Sequence, residues 1–313
     1  MSWIVNDDFT YPAGWAPGTD AQARSREACA QLEKGEVLFF NRIPFDFPQD
    51  DQEFLLSQKQ SAFKGHKNIS YRPKTDQLRG ADSETPEASQ RLQVVMRSFS
   101  ANITKFLGQF LAPYADKWRM DFASYRPVEE QNRDLSLHKR NDLMHVDAFP
   151  SRPTHGGRIM RCFVNINPTR NRVWEVTDPF VVIAKKYAQD AGLPRFAAAA
   201  GSAKESLLRT FTPIFKTIGV NGTDRSAYDR FMLHFHDYLK ENTDYQTNFP
   251  KKHMEFPPGS CWIVYTDTVP HAVLSGQYAL EQTYIVPLDA MVTPQVAPIR
   301  VLEQMCGKAL ANN

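Results

Sequence analysis

No stretch of this 313-residue chain comes near the roughly 18 uninterrupted apolar residues that a membrane-spanning helix needs, so a transmembrane segment is excluded while contact with a membrane surface stays open. The start, MSWIVNDDFTYPAGW, lacks a basic stretch followed by an apolar run, and no secretory signal is expected. Cysteine is scarce. Cys29, Cys162, Cys261 and Cys306 form no Cys-x-x-Cys pair and no framework spacing, and they read as reduced thiols of a cytoplasmic protein. An excess of either charge is missing too: 37 Lys and Arg against 35 Asp and Glu leave +2, which argues against a nucleic-acid partner and against an acidic tail. Repeats, low-complexity tracts and long Gly/Ser linkers are absent, so one domain is expected over 1–313. The apolar (42%) and charged (23%) fractions are those of a globular chain long enough to bury a core without staples.

What is present changes character along the chain. The first part, to about residue 118, is mixed: a helix near 20–34, strand character in EVLFFNRI, a further helix at QDDQEFLLSQ. In TPEASQRLQVVMRSFSANITKFLGQFL the residues Leu92, Val95, Met96, Phe99, Ile103, Phe106, Leu107 and Phe110 recur at helical spacing, behind an N-cap at Thr85 and a proline at the first position. That face predicts a core-packing helix. From about 119 to 176 short β-rich runs take over: DFASYRP, LMHVDAF, GRIMRCFVNINP and NRVWEV. Helical patterns return over about 177–252 in FVVIAKKYAQDAG, AKESLLRTFTPIFKTIG and AYDRFMLHFHDYLKEN. The β pattern then resumes over 253–290, and a closing helix is expected in 291–313. Strands interrupted by a helical insertion and then completed predict an α+β protein with a double-stranded β-helix, or jelly-roll, core flanked by helices.

Within LMHVDAF, His145 and Asp147 are two apart, so on an extended strand both side chains point to one side. A lone His-x-Asp is weak evidence, and a metal needs a further ligand. PPGSCWIVYTDTVPHAVLSG supplies one in His271, placed after a buried-looking strand and a Pro-containing turn. Two neutral imidazoles and one carboxylate on one face of an octahedral ion leave the other positions open, as in non-haem Fe(II) oxygenases. The other histidines fit less well. His234 and His236 are two apart on an expected helix and do not share a face, so they read as surface or packing residues. His138 and His155 lack ligand spacing, and His66 and His253 are expected in polar loops.

One expected residue is missing. Many 2-oxoglutarate oxygenases carry a basic residue about ten positions after the distal histidine to pair with the far carboxylate of the cosubstrate, and here Glu281 and Gln282 stand there. The segment 139–172 is the alternative source of cations. Arg161 alternates with Ile159, Phe163 and Asn165 on an expected strand, and an arginine so set needs an anionic partner, which a dicarboxylate would supply bidentately. Arg172 and Trp174 share a strand face, Arg126 in SYRPVEE lines the first barrel strand, and Gln282 retains an amide to donate to the cosubstrate. Arg140, Arg152 and Arg170 are equally well read as a solvated basic face.

NDLMHVDAFPSRPTHGGRIMRCFVNINP, followed by RVWEV and then PPGSCWIVYTDTVPHAVLSGQYALEQTYIVP, resembles the bacterial Kdo hydroxylases over most of the chain. The resemblance implies an Fe(II)/2-oxoglutarate-dependent dioxygenase that uses O₂ to hydroxylate the 3-deoxy position of Kdo (3-deoxy-D-manno-octulosonic acid) in a lipid A or lipopolysaccharide precursor. The products would be D-glycero-D-talo-oct-2-ulosonic acid, succinate and CO₂. It implies iron ligation by His145, Asp147 and His271, with Arg161, Arg172, Trp174 and Gln282 in matching positions, and it makes the missing downstream arginine a family trait. A lipid-linked substrate would bring the enzyme to the inner face of the cytoplasmic membrane. Two rivals are an oxygenase of this fold acting on a protein side chain or small metabolite, and a non-catalytic module that binds acidic sugars.

Overall fold

The computed structural model describes residues 3–61, 68–200 and 225–311. Its two expected N-terminal helices form as their end signals require. In α1 (Ala21–Glu33) the Asp20 carboxylate accepts from Ala23 N, and in α3 (Pro86–Phe110) the Thr85 hydroxyl accepts from Ala88 N with proline in the first turn. All eight periodic residues of α3 are buried. They pack with α1 and with one face of a large sheet, among Leu38, Phe40, Cys162, Val164, Cys261, Ile263, Leu280 and Tyr284. The short α2 (Gln49–Leu56) lies where QDDQEFLLSQ predicts a helix.

The large sheet has eight strands in the order β1 (Trp3–Val5), β4 (Val37–Phe40), β11 (Cys261–Tyr265), β8 (Arg158–Asn165), β13 (Ala279–Val286), β7 (Arg119–Arg126), β5 (Ile69–Arg72) and β6 (Gln77–Arg79). The mixed N-terminal part therefore extends both edges of the sheet as well as covering it. A smaller sheet runs β10 (Lys252–Phe256), β9 (Arg172–Val176), β12 (His271–Ser275), and β2 (Phe9–Thr10) pairs with β3 (Gly14–Trp15). LMHVDAF is not a regular strand. It joins β12 by a single bridge between His145 and His271, with Val273 N donating to Asn141 O at 2.7 Å. With that segment as a fourth member, the small sheet faces β11-β8-β13-β7, which is the double-stranded β-helix. Phe163, Trp262 and Val264 from one sheet meet Trp174, Val176, Phe256 and Val273 from the other.

Residue alternation decides which side chains reach the space between the sheets. On β8, Cys162 and Val164 turn to the helices while Arg161 and Phe163 turn inward. Cross-strand pairing of Glu281 with Phe163 and of Gln282 with Cys162 then sends Glu281 inward and Gln282 to the helix side.

The insertion contributes α4 (Phe180–Tyr187), α5 (Leu193–Ala199), α6 (Ala227–Glu241) and α7 (Thr243–Asn248), and the chain closes with α8 (Pro298–Cys306). These helices bury Met144, Val146 and Ala272 with Phe180, Phe231, Phe235, Leu239 and Leu302. The described part of the insertion is thus a buttress behind the His-x-Asp segment. All of AKESLLRTFTPIFKTIG, and also His66, fall outside the described residues. His253 lies on β10 rather than in a loop.

Candidate metal centre

His145 and His271 are brought together by reciprocal backbone bonds: His145 N donates to His271 O at 3.1 Å, and His271 N to His145 O at 2.9 Å. Asp147 is fixed by its own N–H, which donates to Thr266 O at 2.9 Å. Each imidazole is oriented by a carbonyl two residues upstream. Nδ1 of His145 donates to Leu143 O at 2.7 Å and Nδ1 of His271 to Val269 O at 2.9 Å, which leaves both Nε2 atoms free as ligands. One ligand atom from each of His145, Asp147 and His271 lies within 4.8 Å of the others. Burial, acting first, lowers the pKa of both imidazoles, so they stand neutral. Burial pushes the Asp147 carboxyl up, but the Arg161 guanidinium outweighs it and holds it well below the usual range. Its buried Oδ2 makes no hydrogen bond. Two neutral imidazoles and an ionised carboxylate at one point, with Asp147 Oδ1 3.8 Å from His145 Nε2, fit a divalent iron with open positions.

Two aromatic rings back the ligands. Trp174 stacks on His271 with centroids 5.0 Å apart and planes at 21°, and His236 meets His145 edge-on at 4.9 Å. Trp174 therefore stands behind a ligand ring, packed with Phe163 and Trp262. Of the α6 histidines, His234 is exposed, whereas His236 turns inward and donates from Nδ1 to Val146 O at 2.8 Å. One turn on, Lys240 is buried and donates to His138 O and Arg140 O at 2.9 and 2.6 Å, and burial lowers it to about 8. Neither was expected near the site. The available signal was their i, i+4 spacing beside Phe235 and Leu239, on the apolar side of α6.

The arginines are already partnered. Arg161 lies 3.2 Å from Asp147 Oδ2 through Nη2 and 3.2 Å from Glu281 Oε2 through Nη1. Arg126 donates to Glu281 at 2.9 Å and lies 3.5 Å from Glu130, while Arg172 lies 3.6 Å from Glu130 and donates to Gly276 O at 3.1 Å. Gly276 has φ 126°, and a Cβ there would come within 2.8 Å of Arg172 Cγ, so this turn needs glycine. The anionic partner expected of Arg161 is thus supplied by the protein, chiefly by Glu281, a residue noticed in the sequence only as a missing base. Gln282 does not face the site. It accepts from Ser100 Oγ at 2.7 Å and donates to Asp121 O at 2.9 Å on the α3 side of the sheet, because its neighbour Glu281 takes the inward position. Of the remaining cations in the segment, Arg158 is fully buried against Asp267, and Arg140 and Arg170 pair with Asp142 and Glu129.

Glu130 ties this network together. Burial raises its carboxyl, but Arg126, Arg172 and Arg133 outweigh burial and hold it at about 2, against 4.5 for a free side chain. A depressed carboxyl stabilises fully above the unfolded value and loses that contribution as pH falls from about 4.5 to about 2, which amounts to about 3 kcal/mol. Glu130→Gln is therefore expected to lose about 3 kcal/mol in urea unfolding at pH 7 and to show a flatter decline between pH 4.5 and 2. Equal stability of the two proteins at pH 7 would contradict this account.

A double-stranded β-helix carrying two neutral imidazoles and a carboxylate between its sheets defines the non-haem Fe(II), 2-oxoglutarate-dependent oxygenase class. The sequence matches the 3-deoxy-D-manno-oct-2-ulosonic acid (Kdo) hydroxylase family over residues 16–309, and the chain belongs to that family. Among solved structures it is similar to the Kdo hydroxylase KdoO, described as a non-heme Fe(II) α-ketoglutarate-dependent dioxygenase. The apo form is 32% identical with a TM-score of 0.83, covering 99% of this chain and 98% of that one. A complex of KdoO with α-ketoglutarate and Fe(III) is 32% identical with a TM-score of 0.82, and one with cobalt(II) is 33% identical with a TM-score of 0.83, at the same coverage. No curated protein sequence matches the chain.

Proposed function

We propose that this chain hydroxylates C3 of Kdo in a lipopolysaccharide inner core or lipid A precursor, with His145, Asp147 and His271 as the iron ligands. The observation that carries the reading is the convergence of those three ligand atoms within 4.8 Å at neutral imidazoles and an ionised carboxylate. Fe(II), 2-oxoglutarate and O₂, when bound, supply the oxidising chemistry: the cosubstrate becomes succinate and CO₂, and one oxygen atom is inserted into the C3–H bond. The protein's own residues position and exclude. Leu143 O and Val269 O hold the imidazoles by their Nδ1–H groups, and Trp174 and His236 fix the ring planes.

Arg161, supported by Arg126 and Arg172, is the anchor for the far carboxylate of 2-oxoglutarate. Around this part of the centre Arg126, Arg161 and Arg172 face Glu130, Glu281 and Asp147, and Arg133 adds a fourth cation at 3.4 Å from Glu130. The cluster therefore carries one positive charge more than its acids, which suits one added carboxylate. Among the described residues no helix is long and apolar enough to cross a membrane, and a lipid-linked substrate would be met at the inner membrane face. The test is mass spectrometry of lipopolysaccharide from cells with and without the protein. One added oxygen on Kdo is expected, and Kdo of unchanged mass would refute the assignment.

A further inference from the structure

A groove of about 1130 Å³ is walled by the 151–157 loop, the start of β7, the segment after β13 and α8. Lys117, Arg119, Arg152 and Arg300 line it together with His155, and Asp289 is the one acid among the lining residues. We propose that this groove is an anion subsite that takes a carboxylate or phosphate carried by the substrate next to the reacting sugar; the inference rests on the hydroxylase reading above.

Arg152 is the strongest element. Its Nε donates to Asp121 Oδ2 at 2.9 Å, and its guanidinium is held between the rings of Phe122 and Phe149, 4.2 and 4.5 Å from their centroids. Among the described residues that is its only hydrogen bond, so the donors of both terminal nitrogens remain for a ligand. A guanidinium clamped by two rings and a carboxylate loses little freedom on binding an anion. This is not a solvated surface arginine, because its side chain is 31% exposed and burial lowers its pKa. Arg72 also lies over Phe122, 4.8 Å from the ring centroid, with a buried Nε that makes no hydrogen bond, and no carboxylate lies within ion-pair distance of it among the described residues. Arg161 repels Arg152, and Arg79 and Arg152 repel Arg72; Asp121 compensates both and Glu281 adds to it at Arg152, and an added anion would relieve what repulsion is left.

Phe149 connects groove and metal. It follows Asp147 by two residues, and the Arg161 guanidinium lies 5.5 Å from the same ring that packs on Arg152. A ligand group on Arg152 is thus one aromatic ring away from the arginine that touches the candidate iron ligand. The Arg119 side chain, which also lines the groove, makes no hydrogen bond or ion pair among the described residues, so replacing it removes charge without breaking a side-chain contact.

The experiment uses the iron-loaded full chain and a Kdo-bearing glycolipid, intact or with its phosphates removed. Arg119→Gln and Arg152→Gln are each expected to raise KM for the intact glycolipid about tenfold, as expected for loss of a charge-assisted contact, with a much smaller change in kcat. A rise on the intact substrate alone identifies phosphate as the ligand, and an equal rise on both identifies a carboxylate. Binding of inorganic phosphate, followed by isothermal titration, supplies a readout that needs no turnover: wild type is expected to bind it and both variants to lose binding. If the wild type fails to hydroxylate the glycolipid but its phosphate binding is lost in both variants, the groove stands and the hydroxylase reading falls. An unchanged KM in Arg119→Gln and in the charge-reversed Arg119→Glu, with wild-type hydroxylation intact, overturns the proposal.

Discussion

Replacing His271 by alanine is expected to remove Fe(II) binding and Kdo hydroxylation together, and replacing His145 or Asp147 to do the same. Loss of a group that merely orients a ligand ring costs about 10–100-fold, so loss of a ligand itself should exceed about 100-fold. The measurement is anaerobic titration of the apoprotein with Fe(II) in the presence of 2-oxoglutarate, which in the wild type should give a weak metal-to-ligand charge-transfer band. The band should vanish in His271→Ala while the far-UV spectrum stays that of the wild type. Folding is expected to survive because His271 is buried as a neutral ring, and its removal leaves no unpaired charge. A full-strength band in His271→Ala would refute the assignment of this residue as a ligand.

Arg161→Ala is expected to act on stability and on cosubstrate binding at once. The guanidinium lies 3.2 Å from both Asp147 and Glu281, and all three side chains are largely buried. Removing it strands the buried Asp147 carboxylate and leaves Glu281 with Arg126 alone, for which about 3–5 kcal/mol of destabilisation is expected. Arg161→Lys keeps the charge but not the fork, so it should recover part of the stability and less of the binding. If Arg161 also anchors 2-oxoglutarate, KM for the cosubstrate should rise about 10–100-fold at a temperature where the variant is still folded. A destabilised variant with an unchanged KM would mean that Arg161 serves only to hold Asp147 and Glu281, and that Arg126 or Arg172 carries the anchor.

Much of the architecture is legible locally. Thr85, Pro86 and the eight periodic apolar residues set α3 without reference to the rest of the chain, because capping and a 3.6-residue period act within one element. The β-rich runs on either side of the insertion likewise predict a split double-stranded β-helix. The mistaken strand at LMHVDAF shows where this stops. Its composition suits a strand, but its pairing is limited to one bridge with His271, because Asp147 N bonds instead to Thr266 O. His236 shows the same limit. The apolar side of α6 favours His236 over His234 only weakly, and the packing of α6 behind Val146 makes the choice.

By itself, then, the sequence determined most of the elements and the interrupted barrel, and it singled out His145, Asp147 and His271 as candidate ligands, whose ligand atoms lie within 4.8 Å of one another. Only the tertiary structure decided the charge pairing around them. Glu281 and Arg161 are 120 residues apart, and nothing near either one announces the other. The inward turn of Glu281 and the outward turn of Gln282 follow from the register of β13 against β8, since a shift by one residue would exchange the two faces. Charge interactions depend on distance through space, and that distance is set by strand register and by the packing of the two sheets, neither of which is a property of any short stretch of chain.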